Sequence, residues 1–121
     1  MIHFSQFKKS LRNAWHGAVL VFHTEQNFRV QVIVGLLVII FALVFQVRWA
    51  ELIILVLMIG AVLSLEMINS ILERIVDTFK PRIHPVVRDI KDIMAATVLT
   101  TSIAAAIIGL IIFFPYFIAL F

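Results

Sequence analysis

Three apolar runs, each long enough to cross a bilayer, dominate this chain of 121 residues. A transmembrane helix needs about 20 mostly apolar residues. The first run lies between Arg29 and Arg48, and its centre, Val32 to Phe45, has no polar side chain. The second starts near Leu52 and is nearly unbroken to Leu65, after which polar residues enter while the helical pattern continues. The third, Ile93 to Phe114, runs 22 residues without a charge and is followed by Pro115. Runs of this length exceed strand length, and an open sheet edge cannot face lipid, so the chain is expected to be all-α. The first run is not a secretory signal, because it follows a polar-rich lead, lacks a small-residue cleavage site and precedes two further spans.

Composition excludes the main alternatives. Hydrophobic residues make up 63% and charged residues 14%, against roughly 45–50% and about 25% in soluble domains. Mean hydropathy is +1.11. A small soluble fold could not bury so much apolar surface. A water-soluble enzyme, a disordered chain and a nucleic-acid-binding tail are therefore ruled out. With no cysteine, disulfides and thiolate chemistry are excluded too.

Basic residues set the expected orientation. Lys8, Lys9, Arg12 and Arg29 precede the first span; Arg74, Lys80, Arg82, Arg88 and Lys91 lie between the second and third. Only Arg48 lies in the hairpin between the first two. The N-terminus and the 74–91 segment are then cytoplasmic and the C-terminus lies outside, in a multi-pass membrane protein. Phe4, Phe7, Leu11, Trp15, Ala18 and Phe22 recur at three- and four-residue spacing, with Lys8, Lys9, Arg12, Asn13 and His16 between them. That pattern predicts an amphipathic helix in the cytoplasmic interface, its cations toward anionic headgroups. Packing of the same face on another subunit is the rival reading. The expected organisation is a single domain over 1–121, with an interfacial helix over 1–28 and helices over 30–47, 52–79 and 86–114.

Six of the seven acidic residues fall on the cytoplasmic side, and only Glu51 lies outside. At about 100° per residue, Glu66, Asn69, Ser70, Glu73 and Asp77 form one stripe roughly 100° wide that climbs about 16 Å. A carboxylate at membrane depth costs on the order of 3 kcal/mol, so Glu66 marks a cavity or a partner. Pairing with Arg29 or Arg74 would be the structural explanation. Several carboxylates with amide and hydroxyl neighbours suit a hard divalent cation, and Mg²⁺ takes one or two of them with waters and phosphate oxygens. Glu73, Asp77 and Glu25 could supply these. Arg88, Lys91 and Asp92 share one face of the next helix. Such a site fits phosphoryl transfer between a soluble nucleotide and a membrane molecule; a cation pathway or a proton relay would use similar residues. No GxxxxGK[ST] loop, Rossmann glycine pattern or HExxH motif occurs. The four histidines are scattered, and only His84 sits beside the proposed site.

The segment Glu66-Met67-Ile68-Asn69-Ser70-Ile71-Leu72-Glu73-Arg74-Ile75-Val76-Asp77 resembles the E-x-x-N-[ST]-x-x-E-x-x-x-D signature of the prokaryotic diacylglycerol kinase family, which includes undecaprenol kinases. The resemblance extends through Trp15-His16-Gly17, Thr24 to Arg29, His84-Pro85, Lys91-Asp92 and Val98-Leu99. It implies a three-span homotrimer with a surface helix that uses MgATP to phosphorylate a lipid alcohol, undecaprenol or diacylglycerol, in phospholipid or envelope lipid metabolism. By the same resemblance Glu66 is the catalytic carboxylate, supported by Asn69. Glu25, Glu73, Asp77, His84, Lys91 and Asp92 fall on the nucleotide side, with Glu25 and Glu73 as Mg²⁺ ligands and Lys91 on phosphate. Thr24 to Arg29 and His84-Pro85 look more like the undecaprenol kinases. Gln31, Met94, Ala96 and Thr97 depart from the family pattern. Small residues such as Ala95, Ala104, Ala105 and Gly109 would permit close helix contact in a trimer.

Overall fold

The computed structural model describes residues 1–79 and 85–121 and is built of helices: α1 Phe4–Thr24, α2 Gln26–Val44, α3 Trp49–Phe79 and α4 Pro85–Ile118. No strand occurs among the described residues. Helices α2, α3 and α4 are each long and apolar enough to cross a membrane. The chain exposes 9426 Å², where a compact soluble monomer of its 13.8 kDa would expose about 6,600 Å². Most of the excess is apolar: Leu36, Leu37, Ile40, Leu110 and Ile111 all face outward. Such a surface has hydrocarbon as its natural solvent.

Helix α3 is the centre of the bundle, packing against both α2 and α4. Ala42, Leu55 and Ile112 form a buried cluster at the end of the bundle away from the acidic stripe. There Glu51, in the first turn of α3, accepts hydrogen bonds from the Arg48 backbone N–H at 3.1 Å and from the Tyr116 hydroxyl of α4. Tyr116 also lies against the ring of Phe45, which ends α2. These contacts tie all three long helices together at one end.

Several boundaries differ from the sequence expectation. The first helix ends at Thr24 rather than 28, because Glu25 adopts an extended conformation (φ −113°, ψ 111°) that separates α1 from α2. Helix α3 begins at Trp49, before Leu52, with Leu52 N–H bonded to the Arg48 carbonyl. Helix α4 does not stop at 114; it carries Pro115 inside it and runs on to Ile118. Proline removes one backbone donor but need not end a helix in this setting. Pro115 C=O still accepts from Ala119 N–H at 3.1 Å, while Phe113 and Tyr116 are held against Phe45. Pro85 takes the first position of α4, as its fixed φ favours. The turn expected over Lys80 to His84 lies outside the described residues.

One close approach depends on a missing side chain. A Cβ at Gly35 of α2 would lie 3.0 Å from Ile59 Cγ2 of α3. Gly35→Leu is expected to lower the unfolding midpoint in detergent, since overpacking costs about 1–3 kcal/mol. The gain in helix propensity, about 1 kcal/mol, offsets only part of that. Adding Ile59→Ala should recover much of the loss. An unchanged midpoint in the single variant would show that α2 and α3 separate there freely.

Candidate active site

The acidic stripe starts inside the bundle and leaves it. Glu66 is 6% exposed and Ser70 1%; Asn69 and Glu73 are half-buried, and Asp77 is exposed. Glu66, Asn69 and Glu73 line a pocket of about 390 Å³ between the three long helices. Helix α2 contributes Asn27, Val30 and Gln31 to it, and α4 contributes Ala95, Val98, Leu99 and Ser102.

Glu25 reaches this region from the joint between α1 and α2. Its backbone N–H caps α1 by donating to Val21 C=O at 2.8 Å. Arg29 secures the same joint, its Nη1 donating to the carbonyls of Phe22 and His23, each at 2.9 Å. Those carbonyls belong to the last turn of α1, which has no intrahelical donors for them. From α3, Arg74 Nη2 donates to Thr24 Oγ1 at 2.9 Å, and Ser70 Oγ donates to Glu25 Oε1 at 3.2 Å. The joint is thus fixed to the stripe by two side chains one helical turn apart. Within the stripe, Asn69 Nδ2 donates to Glu73 Oε1 at 3.3 Å.

Arg29 and Arg74 are therefore committed to the joint. Among the described residues no cation pairs with Glu66; the ion pairs present are Arg48–Glu51 and Lys91–Asp77. The structural explanation for a carboxylate at this depth thus fails, and Glu66 opens onto the pocket instead. Lys91 Nζ lies 2.8 Å from Asp77 Oδ1 where the stripe emerges. Both side chains are well exposed, so solvent screens the pair and Lys91 is readily released to another anion. Asp92 is exposed and does not line the pocket. His84 lies outside the described residues.

Among the described residues no three His, Asp or Glu side chains form a ready cage for a metal. The donor set instead offers carboxylates from two elements, Glu25 and Glu73, each held by a hydrogen bond. That chemistry fits Mg²⁺, which keeps waters and shares substrate phosphate oxygens rather than needing an all-protein cage. Asn27 and Ser102 are pocket residues that the sequence reading missed. Asn27 and Gln31 are four residues apart at the start of the first span, a spacing that puts them on one helix face. Ser102 was hidden as one of several hydroxyls in an uncharged span.

A bundle of three membrane-length helices with a carboxylate-walled pocket at one end defines a polytopic membrane protein equipped for chemistry at the bilayer edge. Residues 12–113 match the family model for prokaryotic diacylglycerol kinase, and the chain belongs to that family. It is 32% identical over 111 residues to the undecaprenol kinase of Bacillus subtilis, covering 92% of this chain and 90% of that one. It is also 36% identical over 101 residues to a diacylglycerol kinase of Synechocystis sp., covering 83% of this chain but 58% of the relative. The protein is an integral-membrane lipid kinase, and the cation-pathway alternative falls away.

Proposed function

We propose that the chain transfers the γ-phosphoryl group of ATP to the hydroxyl of a membrane lipid alcohol, with undecaprenol favoured over diacylglycerol. The observation that carries this reading is Glu66, a carboxylate 6% exposed that has no paired cation among the described residues and opens onto the pocket. Glu66 accepts the proton of the alcohol and aims its oxygen. The new O–P bond forms as the bond from the γ-phosphorus to the β,γ-bridging oxygen breaks, and ADP leaves. Glu25 and Glu73 would hold Mg²⁺, their carboxylates oriented by Ser70 and Asn69. A cation held there would supply positive charge to the phosphates, the dominant requirement of phosphoryl transfer. Lys91 exchanges Asp77 for phosphate, and Asp92 and His84 complete the nucleotide side.

The nine-to-one bias of basic residues supports a cytoplasmic N-terminus and pocket, open to cellular ATP, with the C-terminus outside. The apolar surface left uncovered by one chain is compatible with a homotrimer in the plasma membrane. The lean toward undecaprenol rests on the relative of that name, which matches along 90% of its length. Incubating purified protein with labelled ATP and both alcohols in one detergent tests the reading. Undecaprenyl phosphate should form faster than phosphatidate, and only with Mg²⁺. A strong preference for diacylglycerol would reverse the substrate assignment, and no lipid product from either would overturn the reaction.

A further inference from the structure

A hydroxyl on a helix commonly turns back to the carbonyl four residues earlier. Thr24, Thr78, Thr97, Thr100 and Thr101 all do so in this chain. Ser70, whose corresponding acceptor is the Glu66 carbonyl, instead donates across to Glu25 Oε1 at 3.2 Å. A second neighbour sets Ser70 apart. Arg74, one turn further along α3, donates from Nε to Ser70 Oγ at 3.3 Å.

A guanidinium donates and never accepts, so at Ser70 Oγ it fills a lone pair and cannot take the proton. That proton is left with two acceptors, the Glu66 carbonyl and the Glu25 carboxylate, and the charged one makes the stronger bond. The bond received from Arg74 also polarises the hydroxyl and strengthens its own donation. Ser70 is 1% exposed, so bulk water does not compete. Arg74 itself is exposed, and solvent screens its charge. The hydrogen bond into an enclosed hydroxyl is therefore its route to Glu25. The other arm, Nη2, holds Thr24 and with it the end of α1. We propose that Arg74 is a positioning residue that, by holding the Ser70 proton on Glu25, fixes the Glu25 carboxylate for cation binding. The inference rests on the kinase reading, in which Glu25 is a ligand, and gives a role to a position that the E-x-x-N-[ST]-x-x-E-x-x-x-D signature leaves open.

Arg74→Gln and Arg74→Met separate aiming from charge. Both lose the charge and the arm to Thr24, but glutamine keeps an N–H donor at the chain position of Nε and methionine puts a methyl there. Binding of Mn²⁺, an oxygen-seeking stand-in for Mg²⁺, is read by electron paramagnetic resonance with a non-hydrolysable ATP analogue, so no turnover is needed. Arg74→Met should weaken Mn²⁺ binding roughly tenfold, as loss of ligand-orienting groups does elsewhere, and Arg74→Gln should stay within about threefold of the parent. Arg74→Met combined with Ser70→Ala should bind no more weakly than Ser70→Ala alone, because the two act in series. Equal losses in the glutamine and methionine variants would assign the effect to charge or to the α1 anchor and overturn the proposal. Parent-like binding in Arg74→Met, or losses that multiply in the double variant, would overturn it as well. No Mn²⁺ binding by the parent would remove Glu25 as a ligand and the proposal with it, whereas the kinase reading stands or falls separately on formation of a lipid product.

Discussion

Replacing Glu66 by Gln is expected to cut turnover roughly 1,000-fold while leaving ATP affinity little changed. The amide keeps the shape of the side chain but cannot take the alcohol proton. Folding should survive, because among the described residues no cation depends on this carboxylate, and a neutral group in a site 6% exposed relieves a desolvation cost. Initial rates of label transfer to the lipid, paired with binding of a fluorescent nucleotide, separate the two effects. Turnover within about threefold of the parent would remove Glu66 as the base, since general bases typically contribute far more.

The second large effect concerns the cation. Glu25→Gln and Glu73→Gln should each raise the Mg²⁺ concentration for half-maximal activity by more than about 100-fold. Ser70→Ala, which removes the hydrogen bond that orients Glu25, should raise it by roughly 10-fold, as loss of ligand-orienting groups does elsewhere. Ser70 also accepts from Arg74, so a control is needed for disturbance of the joint. Thr24→Val removes the other anchor of Arg74 without touching Glu25, and its Mg²⁺ dependence should match the parent. Titration of activity with Mg²⁺ at saturating ATP reads all four variants. If Ser70→Ala and Thr24→Val shift together, Ser70 serves the joint and not the ligand.

Much of this was legible before any coordinates. The three spans follow from run length alone, because hydrocarbon leaves helices as the only economical way to satisfy three stretches of backbone. The stripe from Glu66 to Asp77 follows from helical periodicity. What the sequence could not reveal was position along the third dimension. The long apolar run before Glu66 already marks that carboxylate for a cavity or a partner, but nothing in the spacing says that Ser70 is enclosed with it, since all five side chains share one angular sector. The extended residue at Glu25 was also hidden. Helical pattern continues on both sides of it, and the break is visible only through Arg29, whose guanidinium caps the preceding turn instead of pairing with an acid. Pro115 was misleading for a related reason: proline is a stop signal in water, yet α4 continues through it where aromatic packing holds the chain.

Glu25 is at once the residue that ends α1 and the partner of Ser70 beside the acidic pocket. The outer face of α1 carries Phe4, Phe7, Leu11 and Trp15, which no described residue buries, so α1 is held mainly through its joint with α2. Any tilt of α1 would therefore swing the very peptide from which the Glu25 carboxylate hangs.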